Sequence, residues 1–209
     1  MAGRVVAISP DGKEVRVLAD KFEGKPFNAP NDLVIDKRGG VYFTDPSFGA
    51  SKPLPQGTTG VYYIAPDGKV TRLIDDLGLP NGVILSPDET TLYVIPTGPA
   101  DMMAYPVEAP GKLGKGRVFC SLRGKGSKKG TGGDGCTIDT KGNLYVTSQI
   151  GLQVFDPAGK FQGSIAFPEQ PANVTFGGPD MRTLYVTART SLYTVRMEAS
   201  GHVFPAGGS

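Results

Sequence analysis

Residues 29–46 read APNDLVIDKRGGVYFTDP, and the fold follows from how this stretch is parsed. A polar residue, Asn31, stands before a short apolar strand, Leu33–Ile35. A turn at Asp36–Gly40 leads into a second strand, Val41–Thr44. The unit returns as PNGVILSPDETTLYVIP from Pro80, GDGCTIDTKGNLYVTS from Gly133 and ANVTFGGPDMRTLYVTA from Ala172. Each copy carries an aromatic–apolar pair on its second strand: Tyr42-Phe43, Tyr93-Val94, Tyr145-Val146 and Tyr185-Val186. Eleven or twelve residues before each Tyr sits a carboxamide or carboxylate: Asn31, Asn81, Asp134 and Asn173.

Working outward, the flanks supply further strands joined by tight turns. Arg4–Ser9 and Glu14–Ala19 are expected to pair around Pro10-Asp11-Gly12-Lys13, and Gly60–Ala65 with Lys69–Ile74 around Pro66-Asp67-Gly68. The second unit continues through Met102–Pro106 and Arg117–Ser121, the third through Gly151–Phe155 and Phe161–Ala166. The fourth continues through Leu192–Met197 and a ragged Val203-Phe204. The 30 Gly and 18 Pro fall between these short runs, as an all-β chain rich in turns requires. Antiparallel four-stranded units recurring every ~40–50 residues are the period of a β-propeller blade. A β-sandwich also has many short strands, but not this recurrence with one fixed polar position.

The expectation is therefore a single β-propeller domain over residues 1–209 with about four and a half blades. It would be N-terminally incomplete, because the first two strands look like the outer half of a blade. Such an arrangement would leave open blade edges through which copies could self-associate.

Several function classes drop out on composition. A net charge of +2 does not call for a nucleic acid or a membrane surface as partner. No apolar run approaches the ~18–20 residues that span a bilayer. The start, MAGRVVAISPDGKEV, lacks the pattern of a signal peptide, which points to the cytoplasm; a leader lost upstream would make it periplasmic or secreted. Cys120 and Cys136 form neither a disulfide framework nor a zinc motif, and the only histidine is His202. A mechanism built on a histidine base, a Ser-His-Asp triad included, is accordingly not expected.

Taken in order, FNAPNDLVIDKRGGVYFTDPSFG, LPNGVILSPDETTLYV, GGDGCTIDTKGNLYVTS and PANVTFGGPDMRTLYVT resemble the SMP-30/gluconolactonase/luciferin-regenerating-enzyme-like family over about Val5 to Met197. That resemblance implies a six-bladed propeller with one divalent metal in the central channel. The metal is most often calcium, with magnesium or zinc as the other ions to consider. By motif it makes Asn81 and Asp134 metal ligands, and Asn31 a further ligand or substrate contact. The family's remaining ligand, a Glu near the N-terminus, would belong to the blade expected to be incomplete here. The activity implied is the hydrolysis of a small-molecule lactone, gluconolactonase-like.

The residues themselves support this chemistry. Inner strands of a propeller converge on its axis, so equivalent strand starts face one channel mouth. Asn carbonyls and an Asp carboxylate are hard oxygen donors suited to Ca²⁺ or Mg²⁺. Asp134 is the candidate catalytic residue, as general base or water-positioning group. Asn81-Gly82 and Asp134-Gly135 are also ordinary turn pairs that accept positive φ. Asn173 reads as an inner-strand cap or a support for a ligand, and Asp32 and Asp45 as rim residues rather than ligands. The repeat tyrosines read as core between blades. Arg123, Lys125, Lys128 and Lys129 could draw in an anion or form a solvated loop, and the Pro46–Thr59 loop could cover the channel. Two other functions remain open: a non-catalytic or impaired metal- or ligand-binding propeller, and an ester or phosphotriester hydrolase on the same scaffold.

Overall fold

The computed structural model describes residues 3–50, 52–125 and 130–204, and among them are twenty β-strands and no α-helix. A hairpin of β1 (Val5–Ile8) and β2 (Val15–Ala19) comes first, then a smaller one of β3 (Lys21–Phe22) and β4 (Lys25–Pro26). Four antiparallel sheets follow, in chain order. The first holds β5 (Leu33–Ile35), β6 (Val41–Asp45), β7 (Gly60–Ile64) and β8 (Val70–Ile74). The second holds β9 (Pro80–Leu85), β10 (Thr91–Pro96), β11 (Asp101–Ala109) and β13 (Arg117–Ser121), with short β12 (Lys112–Leu113) also on β11. The third is β14 (Cys136–Ile138), β15 (Leu144–Ser148), β16 (Gly151–Phe155) and β17 (Phe161–Ile165). The fourth is β18 (Pro171–Gly177), β19 (Thr183–Ala188) and β20 (Ser191–Arg196). The result is a propeller-like arrangement of four blades, with the β1–β2 hairpin packed beside the first. The hairpin β3–β4 and strand β12 carry no alternating pattern in the sequence, which is why they were not expected.

Tight turns set the register. In the first sheet, Asp36 Oδ1 accepts the amides of Arg38 and Gly40, and its Oδ2 accepts Tyr63 Oη at 2.9 Å. Gly39 there has φ +83°, a value that glycine adopts without strain. In the third sheet Asp139 does the same for Lys141 and Asn143, and also accepts Tyr145 Oη at 3.2 Å.

Hydrophobic layers lie between neighbouring sheets. Tyr42 and Val61 meet Val83, Leu85 and Leu92 across the first junction. Ile95 and Met102 meet Ile138 and Leu144 across the second, and Tyr145 and Leu152 meet Val174 and Leu184 across the third. The repeat tyrosines Tyr42, Tyr93 and Tyr145 are thus buried between blades, as expected. Tyr185 is 36% exposed, because no described sheet covers the outer face of β18–β20.

The tail differs from the strand expected at Val203-Phe204. After β20 the chain crosses beneath β14: Gly201 bridges to Asp139, and the His202 amide donates to the Ile138 carbonyl at 3.0 Å. A side chain at Gly201 would collide with the Phe176 ring, so glycine permits the crossing. His202 stacks edge-on against Phe204 and lines a cavity with Asp32, Val83 and Cys136.

Candidate functional site

The starts of the inner strands surround a cavity of about 530 Å³, lined in part by Asn31, Asn81 and Asp134. Three residues far apart in sequence therefore share one wall. Asn173, in the equivalent position of the fourth unit, does not line it. Its Oδ1 accepts the Val174 amide at 2.7 Å and its side chain lies over Gly135.

The local sequence explains the convergence. Asn81-Gly82 lies within β9 rather than in a turn, and neither Gly82 nor Gly135 has positive φ. Their role is close approach. A side chain on Gly82 would strike the Asp134 carbonyl oxygen, and one on Gly135 would strike the Asn173 carboxamide. These two glycines let successive inner strands meet at the axis, which corrects the turn reading of both pairs. A hydroxyl ladder crosses the same level. Thr44 Oγ1 donates to the Asn81 carbonyl at 2.7 Å, and Thr147 Oγ1 to the Ala172 carbonyl at 3.0 Å.

Asn81 is 6% exposed, and its side-chain orientation is set by Nδ2, which donates to Thr97 Oγ1 at 2.9 Å. Its Oδ1 is buried with no hydrogen-bond partner. An orphaned buried carbonyl oxygen is costly, and a cation or a bound polar group would relieve it. Burial raises the pKa of Asp134, while the Asn81 carboxamide and the more distant Arg189 pull it back down. One carboxylate and two carboxamides fit a hard divalent ion such as Ca²⁺, with water completing the shell. No group of three or more His, Cys, Asp or Glu that could hold a metal ion occurs among the described residues, so this donor set is lean.

Below the mouth, Asp32 accepts the Leu33 amide at 2.9 Å and the Val83 amide at 3.0 Å. Burial raises its pKa, those amides oppose the rise, and the Asp134 charge adds to it. It ties the first blade to the second and is half-buried. A second cavity of about 260 Å³ lies deeper, between Asp32, Cys136 and Phe204. Asp45, in contrast, is fully buried and is no rim residue.

Arg123 lies over the Phe161 ring at 3.8 Å and its amide donates to Gln153. It lines a separate cavity, so it does not face the mouth. Lys128 and Lys129 lie outside the described residues. Sequence reasoning missed Thr97, Ser148, Gln149 and Gln170, which line the mouth; Phe48, also on it, belongs to the Pro46–Thr59 loop expected to cover the channel. Thr97 directly follows the second strand of its unit and Ser148 ends that of the next, and this strand runs antiparallel to the first. Its end must therefore return to the level of Asn81 and Asp134, a signal available from topology.

The profile of the SMP-30/gluconolactonase/LRE-like region matches residues 1–190. The gluconolactonase of Zymomonas mobilis is 33% identical over 207 residues, covering 94% of this chain and 58% of its own length. Lactonase drp35 of Staphylococcus aureus is 29% identical over 216 residues, covering 96% of this chain and 64% of its own. The chain thus spans about three fifths of the length of these curated relatives. Among solved structures, a gluconolactonase of Xanthomonas campestris superposes with TM-score 0.82 at 33% identity, covering 92% of this chain and 65% of that one. The calcium-binding protein regucalcin of Agrobacterium tumefaciens superposes with TM-score 0.77 at 25% identity, covering 95% and 71%.

Proposed function

The chain belongs to the SMP-30/gluconolactonase/LRE-like family, and on that premise we propose that it is a divalent-metal-dependent hydrolase of sugar lactones built on a six-bladed type of propeller. The observation that carries the reading is the orphaned Oδ1 of Asn81 at one wall with Asp134 and Asn31. Asn31, Asn81 and Asp134 would hold the ion, most suitably Ca²⁺. The regucalcin neighbour, described as calcium-binding, supports that choice.

A bound divalent cation supplies Lewis acidity to the lactone carbonyl oxygen. Asp134 orients the attacking water and takes its proton as the oxygen adds to the carbonyl carbon. The ring C–O bond then breaks, and the proton passes from Asp134 to the departing alkoxide. Thr97, Ser148, Gln149 and Gln170 offer hydroxyl and amide groups to the substrate's hydroxyls, and Phe48 offers an apolar face. No Lys or Arg lines this cavity among the described residues, which favours a neutral polyol over an anionic substrate.

A further blade beside the four, as a six-bladed type requires, is supported by the fourth sheet. Thr44 and Thr147 each donate both to a carbonyl of their own sheet and to one of the next, whereas their counterpart Thr187 reaches, among the described residues, the Asn173 carbonyl of its own sheet at 3.4 Å. Tyr185 and Leu192 stand exposed beside it, the character of a face that receives another blade.

The test is calcium calorimetry with a gluconolactone hydrolysis assay, on the parent chain and Asp134→Ala. Binding and hydrolysis in the parent, both lost in the variant, is the expected outcome. Calcium binding without turnover on lactone, ester or phosphotriester would replace the enzyme reading with a binding propeller. Unchanged binding and hydrolysis in Asp134→Ala would refute the site.

A further inference from the structure

We propose that Asp45 is a positioning residue for the mouth, a buried carboxylate that sets both Asn31 and Phe48 on the cavity wall. Asp45 ends β6 and is 0% exposed. Its two oxygens accept two consecutive amides: Oδ2 from Asn28 at 2.9 Å and Oδ1 from Ala29 at 2.7 Å. Those amides lie just before Asn31, and Phe48 lies three residues after Asp45. One side chain therefore grips the chain entering one wall of the mouth and anchors the chain leaving toward another.

The grip continues through Asn28, which is also buried. Asn28 Nδ2 donates to the Thr58 carbonyl at 2.8 Å, and its Oδ1 accepts the Gln56 amide at 3.1 Å. Gln56 Nε2 donates to the Lys25 carbonyl at 2.7 Å, and its Oε1 accepts Arg72 Nη2 at 2.8 Å. The connection between β6 and β7 is thereby tied to the β3–β4 hairpin and to the approach to Asn31. Hydrogen-bonded networks of this kind impose one geometry on their members.

A carboxylate is needed for a steric and electronic reason. Two adjacent N–H groups point at one side chain, and only a carboxylate presents two acceptors to them. Asparagine has the same size but would set its NH₂ against one of the amides. Burying an ionisable group with no salt-bridge partner among the described residues opposes folding, so simple stability does not account for it. Asp36, at the opposite end of the same blade, gives a matched control. It is a buried carboxylate holding two amides and a tyrosine, yet it touches nothing at the mouth.

The chain has no tryptophan, so Phe48→Trp creates a single emission reporter at the cavity. In that background Asp45→Asn is expected to shift the emission to the red and to weaken Ca²⁺ binding, measured by calorimetry, by about tenfold or more. Asp36→Asn is expected to move neither. The proposal is overturned if Asp45→Asn leaves the emission unchanged, or if Asp36→Asn shifts it equally. The affinity arm rests on the cation reading. A reporter protein that binds no Ca²⁺ would count against that reading, while the emission comparison still decides the role of Asp45. Hydrogen exchange on the unsubstituted protein serves if Asp45→Asn does not fold: amides of Asn28 and Ala29 as fast as those of exposed turns would overturn the clamp.

Discussion

The two ends of the inner strands use the same residue types to opposite purposes. At the lower end, Asp36 and Asp139 are buried with their oxygens filled by turn amides and a tyrosine hydroxyl. At the mouth, Asp134 lines the cavity, and beside it Asn81 keeps a buried oxygen without a donor. A carboxylate whose acceptor sites are all taken by its own chain is structural. Polar oxygens left wanting around a cavity mark a place for something from outside.

Removing a filled carboxylate is the strongest way to break this comparison. Asp139→Ala leaves two backbone amides and the Tyr145 hydroxyl without their acceptor in a fully buried position. The expected loss is about 3 kcal/mol in urea unfolding, with Ca²⁺ affinity unchanged under conditions where the variant is folded. A calcium affinity that falls in step with stability would erase the distinction between the two ends.

Adding a carboxylate at the unfilled end should act in the other direction. Asn81→Asp keeps an acceptor for a Thr97 hydroxyl that can rotate, and it places a second negative charge beside Asp134. In the absence of metal the variant should lose about 1 kcal/mol through like-charge repulsion. Calcium should then bind more tightly than in the parent, by about tenfold. Calorimetry and unfolding with and without Ca²⁺ check both signs; weaker binding would mean that Asn81 does not face the ion.

Much of the framework was legible in the sequence. The repeat from Ala29 to Pro46 recurs with its polar residue in place, and a period-2 apolar pattern between Gly-containing turns is a local signal. Asn31, Asn81 and Asp134 could be singled out by their recurrence at one place in the unit together with the family resemblance. What escaped was non-local. Gly82 and Gly135 look like turn glycines until the neighbouring strand that crowds them is seen. Asn173, by contrast, reads as an inner-strand cap, and its oxygen does accept the amide of Val174. Asp45 looked like a rim residue in a TDP motif, and only the amides of Asn28 and Ala29 folded against it show its burial.

Asp45 also sharpens the comparison, being a filled carboxylate at the functional end. Burial pushes its pKa up to about 6, against the amides of Asn28 and Ala29 and the charge of Arg72, which lower it. The sign follows from linkage. A folded-state value above the unfolded one means that protonation favours the folded form. That contribution is complete below about pH 4 and is lost as pH rises through about 6. The clamp has the opposite dependence, because a proton on either oxygen turns an acceptor toward an amide donor into a donor. Lowering the pH from 7 to 5 should therefore loosen the Asn28–Ala29 amides without unfolding the blade. Intrinsic exchange itself slows with acid, so the readout is the protection factor, normalised to amides in β15 and β16. It should fall with a midpoint near pH 6 in the parent and stay flat in Asp45→Asn. A flat profile in the parent would mean that the carboxylate does not titrate in this range, and the mouth would then keep its geometry across mildly acidic pH.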